Sequence, residues 1–210
     1  MSERPRVFLA SRNTGKLAEM QRILGEHLPE VEVLGLDDVE PYDEPAETEP
    51  GFEGNAALKA RAGVRATGLP SLADDSGLCV DALNGMPGVL SARWAGVADA
   101  PRQEKDDANN ALLLAQLSDV PDERRTAAFV CAVALAVPGQ EHVHVVLGRM
   151  PGRVIRETRG EGGFGYDVLF CAEGHDVTTA EMTPADKDAI SHRGRALREI
   201  APLVARVLSA

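Results

Sequence analysis

The chain has no apolar run approaching the roughly 18–20 residues that cross a bilayer, so no membrane partner is expected. Its first residues, MSERPRVFLASRN, hold neither a long apolar core nor a small-residue cleavage site, so no signal peptide is expected either. Cysteine is scarce: Cys79, Cys131 and Cys171 are odd in number, far apart and never in a CxxC pair. That argues against a disulfide framework or a structural zinc site, and for a reducing, cytoplasmic setting. Positive charge is also short, with 22 Lys and Arg against 33 Asp and Glu and a net charge of −11. Such a field repels a phosphate backbone, so nucleic acid is not an expected partner. A small anion can still bind where basic groups cluster and a cation bridges the rest. No GxSxG elbow or Cys–His signature supports a covalent nucleophile. No internal repeat or composition break divides the chain, so residues 1–210 read as a single domain.

What is present alternates in character. Residues 6–10 form a short buried strand around Val7, Phe8 and Leu9. The spacing of Leu17, Met20, Ile23 and Leu24 predicts a helix, and 31–34 reads as a second strand. Residues 37–53 carry eight acidic residues and three prolines, and no Lys or Arg occurs between Arg22 and Lys59. By composition this stretch is a solvated loop. Residues 55–66 are rich in helix formers, stopped by Gly68-Leu69-Pro70. Residues 71–73 lead back to the sheet, and 74–96 read as structured loops around a short strand at 78–82. A helix follows at 106–117. Two long strands at 127–137 and 142–155 are joined at Pro138-Gly139-Gln140, residues 166–170 read as a strand, and a helix runs from His192 to Leu208. Strands alternating with helices, plus one long hairpin, give an α/β class with a mixed sheet.

Four segments can carry chemistry. SRNTGK, residues 11–16, is a polar strand-to-helix turn. It is either a plain helix cap or an anion site made of backbone N–H groups plus Lys16. A Walker A loop would need Gly where Ala10 stands and Ser or Thr where Leu17 stands, so that reading fails. In LADDSG, Asp74 and Asp75 point opposite ways on an extended chain. One of them is a hard-cation ligand or water-orienting base, unless Ser76-Gly77 merely closes an Asx turn. GEGGFGYDVLF, residues 160–170, contains a formal GxGxxG match without the strand and helix of a dinucleotide site, and no VAIK, HRD or DFG kinase segment follows. Its glycines beside Phe164 and Tyr166 let backbone and aromatic faces approach a planar ring. In AEMTPADKDAISHRG, Lys187, His192 and Arg193 cluster at the start of the last helix, where an anion is favoured; each alone is equally an ordinary surface or helix-start residue. His142 and His144 share a strand face without a third ligand and read as sheet residues.

Together, SRNTGK, ADDSGL, GMPGVLSARWAG, GGFGYD and ISHRG resemble, in order, the inosine triphosphate pyrophosphatase family of house-cleaning enzymes. The resemblance runs from Ser11 almost to the C-terminus. It implies a long mixed sheet with flanking helices forming two lobes around a central substrate cleft. It also implies Mg²⁺-dependent hydrolysis of ITP, dITP and XTP to monophosphate and pyrophosphate, and a homodimer with the Trp94 segment near its contact. Ser11, Arg12, Asn13, Thr14, Gly15 and Lys16 would hold the phosphates. Asp75 would be general base and metal ligand, Glu47 the second metal ligand, and Ser76 a substrate contact. Phe164, Gly165, Tyr166 and Asp167 would hold the base, with Lys187, His192 and Arg193 completing the pocket. Donors facing the 6-oxo group of hypoxanthine or xanthine would reject the 6-amino group of adenine. The family's F-x-E-N-A segment has Gly54 at the usual glutamate here, so Glu53 and Gly54 are left out of the site. The rivals are a related Maf-type pyrophosphatase, whose signature is absent, and a nucleotide sensor without turnover, which the presence of Asp75 and Lys16 disfavours.

Overall fold

The computed structural model describes residues 4–11 and 13–209, with Thr14 through its backbone alone. Six strands form one sheet: β1 (Arg6–Leu9), β2 (Glu32–Leu34), β3 (Ser71–Val80), β4 (Thr126–Ala136), β5 (Val143–Val154) and β6 (Phe170–Ala172), in the order β2-β1-β3-β4-β5-β6. β1 runs parallel to β2 and β3, whereas β5 and β6 are antiparallel, so the sheet is mixed as expected. Its helices are α1 (Thr14–His27), α2 (Phe52–Thr67), α3 (Arg102–Gln116), α4 (Pro184–Ile190) and α5 (His192–Leu208). Among the described residues, no helix is long and apolar enough to cross a membrane.

The chain divides into two compact units. The first comprises the described residues up to Asp75, Cys131–Gly148, and those from His192 onward. Alternation along its strands decides its layers. Val7, Leu9 and Leu72 turn to one side and pack with Met20, Ile23 and Leu24 of α1 and Leu197, Ile200 and Val204 of α5. Phe8 is one residue out of phase with them, and α2 approaches it closely at Gly63, which has no side chain to hold them apart. Each fully buried Leu or Ile contributes about 1.5–3 kcal/mol of transfer free energy, so this layer holds α1 and α5 against the sheet.

The second unit comprises Ser76–Val130 and Arg149–Ser191. Leu78, Val80, Leu113, Leu117, Phe129, Met150 and Phe170 form its core, with the Phe129 and Phe170 rings edge to face at 4.7 Å. Arg125 is buried there, donating to the carbonyls of Leu117, Val154 and Ile155 at 2.6, 2.9 and 2.9 Å. One guanidinium thereby satisfies three carbonyls, two of them fully buried.

Two expectations about local structure are corrected. Residues 74–80 are not loops around a short strand: they continue β3, and Asp74 and Asp75 lie in its interior at 2% and 4% exposure. The cause is tertiary, because cations from three helices compensate both carboxylates. Residues 166–170 do not form a strand either. A 3-10 helix spans Gly165–Leu169 and β6 starts only at Phe170. Gly165 adopts φ +63°, a conformation open chiefly to glycine, and the Asp167 carboxylate accepts the Phe164 N–H at 2.8 Å, closing the turn.

Candidate active site

The phosphate-side candidates fall in the first unit. β1 ends at Leu9, and α1 starts at Thr14 with Asn13 as its N-cap, the side chain accepting the Lys16 N–H at 3.1 Å. SRNTGK is therefore the expected strand-to-helix turn, with the positive end of the α1 dipole at its mouth. Ser11 stands half-buried at its entrance, and Gly15 lies in the first turn of the helix. Arg12 and the side chain of Thr14 lie outside the described residues. Lys16 reaches β3, its ammonium 3.0 Å from Asp74 Oδ2. The same oxygen accepts Arg193 Nε at 3.2 Å, and the Arg193 guanidinium also binds Glu19. Asp74 is thus held by two cations. Burial opposes its charge, but Lys16 and Arg193 outweigh burial and push its carboxyl far below the usual carboxylate range. Arg193, placed by sequence in the substrate pocket, is 1% exposed and serves this buried ion cluster. His192 is buried beside it at the start of α5.

Asp75 turns to the opposite side of the strand. Its Oδ1 lies 3.0 Å from Lys59 Nζ and its Oδ2 accepts Asn55 Nδ2 at 3.1 Å, both donors coming from α2. Lys59 Nζ is also 2.6 Å from Glu47 Oε1. Glu47 and Asp75, 28 positions apart, therefore converge on one ammonium. Burial raises the Asp75 carboxyl above its usual range despite Lys59, and the Glu47 charge adds to the rise. For Lys59, burial works against the charge, but Asp75 and Glu47 overcome it and raise the ammonium. Among the described residues, no group of three or more His, Cys, Asp and Glu is arranged to hold a metal ion. A cation at Glu47 and Asp75 would thus take two protein carboxylates and fill its remaining positions from water or phosphate. That donor set fits Mg²⁺, which keeps several waters and seldom uses an all-protein cage.

Asn55 and Lys59 were not singled out from sequence, yet a signal was available. They are four apart on α2, hence on one helix face, directly after the acidic stretch. Asn55 is fully buried; besides Asp75, it accepts the Glu49 N–H at 3.0 Å and so ties the acidic segment to β3. The departure at Gly54 also has a structural reason. A Cβ added there would lie 2.6 Å from Glu49 Cβ and 2.7 Å from its Cγ. The Glu49 side chain lies across the place where residue 54 would carry its own.

The second unit holds the base-side candidates. Gly165 is gripped from α3: its N–H donates to Asp106 Oδ2 at 2.9 Å and its carbonyl accepts Asn110 Nδ2 at 3.0 Å. The Phe164 ring centroid lies 4.6 Å from the Arg102 guanidinium and 5.1 Å from Lys187 Nζ. Tyr166 is buried, with its hydroxyl donating to the Ser91 carbonyl at 2.9 Å. Asp167 accepts from Lys187 Nζ at 2.6 Å and Thr179 Oγ1 at 2.7 Å, so both charges of that pair are buried together. Of the GFGYD segment, Phe164 keeps an aromatic body near two cations, whereas the Tyr166 and Asp167 side chains support the turn. Asp106, Asn110 and Arg102 were missed in the sequence, where their helix carries no motif. Ser76 is half-buried on β3. The His142 and His144 rings touch edge to face at 4.6 Å.

A family model described as the Ham1 family matches residues 7–203. The chain is 62% identical over 201 residues to a protein of Nocardia farcinica named dITP/XTP pyrophosphatase, covering 95% of each. It is 54% identical to a Mycobacterium abscessus protein whose crystal structure is described as a nucleoside-triphosphatase or dITP/XTP pyrophosphatase. There the TM-score is 0.73, over 94% of this chain and 99% of that one. A HAM1 protein of Coxiella burnetii is 38% identical, with a TM-score of 0.82 over 96% of this chain and 98% of that one.

Proposed function

The chain belongs to the Ham1 family, and from that premise we propose that it hydrolyses non-canonical purine nucleoside triphosphates, namely ITP, dITP and XTP, to the monophosphate and pyrophosphate. The observation that carries the reading is the convergence of Glu47 and Asp75 on one cationic group, on the same strand that Lys16 ties to the SRNTGK turn. Mg²⁺ is the proposed cofactor, held by Glu47 and Asp75; when bound, it neutralises phosphate charge as the α–β linkage breaks. Asp75 orients water toward the α-phosphorus and takes its proton, while Asn55 fixes the angle of the carboxylate. Residues 11–16 cradle the phosphates through backbone N–H groups and the Lys16 charge, and Ser76 follows Asp75 as a substrate contact. The Phe164 ring and the backbone at Gly165 take the purine, with Lys187 and Asp167 holding that turn. Arg193 is a positioning residue: it anchors Asp74, which in turn holds Lys16 at the SRNTGK turn, with His192 next to it. A homodimer and a cytoplasmic setting belong to the same proposal; all three cysteines are free thiols, which suits a reducing compartment.

The deciding experiment is pyrophosphate release from ITP, dITP, XTP, GTP and ATP, with Mg²⁺ and with EDTA. Turnover should need Mg²⁺ and favour the first three nucleotides; a comparable kcat/KM for ATP and ITP would refute the selectivity. Asp75→Asn keeps the side-chain shape and should lower turnover by about 10²–10⁴, the usual cost of losing a general base.

A further inference from the structure

Lys59 occupies an unusual position relative to the two cation ligands proposed above. Its ammonium has three donors, and three acceptors surround it: Glu47 Oε1 at 2.6 Å, Asp75 Oδ1 at 3.0 Å and the Asp74 carbonyl at 3.4 Å. The side chain is 17% exposed, so this is an inward-directed charge and not a solvated lysine that brushes the site. Asn55 holds the other oxygen of Asp75 and accepts the Glu49 N–H, so the carboxylate has no slack on that side.

A divalent cation bound to the same oxygen of Glu47 would sit about 2.1 Å from it. With Nζ 2.6 Å from that oxygen, ion and ammonium would then be no more than about 4.7 Å apart. At such a separation inside a protein a single and a double positive charge repel strongly. Each cation therefore weakens the other's hold on these carboxylates.

We propose that Lys59 is a resident counter-ion that competes with the divalent cation for the Glu47–Asp75 pair. It holds two carboxylates together that would otherwise repel each other, and it yields them when the divalent cation binds. The lysine therefore trades cation affinity for a preassembled site. This inference rests on the reading of Glu47 and Asp75 as the cation's ligands.

The test is cation binding without nucleotide, read as free Mn²⁺ by electron paramagnetic resonance, for the wild type, Lys59→Met and Lys59→Arg. Removing the competing charge should tighten the Mn²⁺ Kd by about tenfold or more in Lys59→Met. Lys59→Arg retains the charge and should stay within about threefold of the wild type. The thermal midpoint of Lys59→Met should fall below that of the wild type in EDTA and rise further on adding Mg²⁺, since ligand linkage scales with affinity. If the methionine variant folds only with cation present, its midpoint against Mg²⁺ concentration yields the same ranking of affinities. An unchanged or weaker Kd in Lys59→Met overturns the competition, as does equal tightening in Lys59→Arg. The underlying assignment fails separately: the wild type would bind no Mn²⁺, or Glu47→Gln and Asp75→Asn would bind it as the wild type does.

Discussion

Replacing Arg193 with methionine tests how the first unit holds its charges. The guanidinium is 1% exposed and binds two carboxylates that are themselves buried, Glu19 at 4% and Asp74 at 2% exposure. Methionine fills much of the same volume, so the substitution removes charge and hydrogen bonds with little loss of packing. Asp74 keeps Lys16 at 3.0 Å, whereas Glu19 loses this guanidinium altogether. Breaking one side of a buried ion pair costs about 3–5 kcal/mol, because the remaining charge stays out of water. For a chain of this length that corresponds to a midpoint drop of about 6–20 °C. Urea or thermal unfolding followed by circular dichroism reads it directly. The double variant Glu19→Met/Arg193→Met also removes the carboxylate that lost the guanidinium and should recover part of the loss, since buried ion pairs often exchange for apolar pairs at little cost. If Arg193→Met costs under about 1 kcal/mol, or the double variant is less stable than the single one, the guanidinium is not the internal counter-ion described here.

Two further substitutions examine neighbouring claims. Gly54→Glu alone should destabilise by about 1–3 kcal/mol through overpacking against the Glu49 stem at 2.6–2.7 Å, and adding Glu49→Gly should relieve it; equal midpoints for the single variant and the wild type would contradict the close approach. Lys187→Met strands Asp167, which is 3% exposed, and should cost about 3–5 kcal/mol, with Asp167→Asn in the same chain recovering part of that. Denaturation of the single and double variants gives the coupling, and additive losses would mean that the pair is not one unit.

Sequence alone captured the parts of this fold that local physics decides. The SRNTGK turn, the α2 stop at Gly68 and the α5 span follow from caps, breakers and spacing, and the structure has each of them. α4 was overlooked although its signal was present: Thr183 caps it by accepting the Asp186 N–H at 3.2 Å, with Pro184 in the first position. The interior of β3 was not legible. Two adjacent aspartates argue for a loop unless their counter-ions are known, and those come from positions 16, 59 and 193. Likewise, the run Val168-Leu169-Phe170 suggests a strand from Tyr166 onward, and only the hold of Lys187 and Thr179 on Asp167 explains the tighter helix. The acidic stretch looked solvated by composition, yet Glu47 and Glu49 are tied to α2 through Lys59 and Asn55.

The two aspartates of β3 share a backbone and differ in electrostatic accounts, and that difference assigns their roles. On the Asp74 side, two carboxylates, Asp74 and Glu19, meet two cations, Lys16 and Arg193, so the named cluster is balanced within the protein. On the Asp75 side, Asp75 and Glu47 converge on Lys59, and the Glu47 side chain keeps 26% of its surface exposed. A carboxylate that solvent reaches can take a new ligand without breaking a fully buried ion cluster. An incoming cation is therefore better accommodated on the Asp75 side, where it finds two oxygens already aimed at a common point. The Asp74 Oδ2 is already held by Lys16 of α1 and Arg193 of α5, and its side chain is fully buried. Alternation along one strand is enough to separate the carboxylate that stabilises the fold from the one that is left able to act.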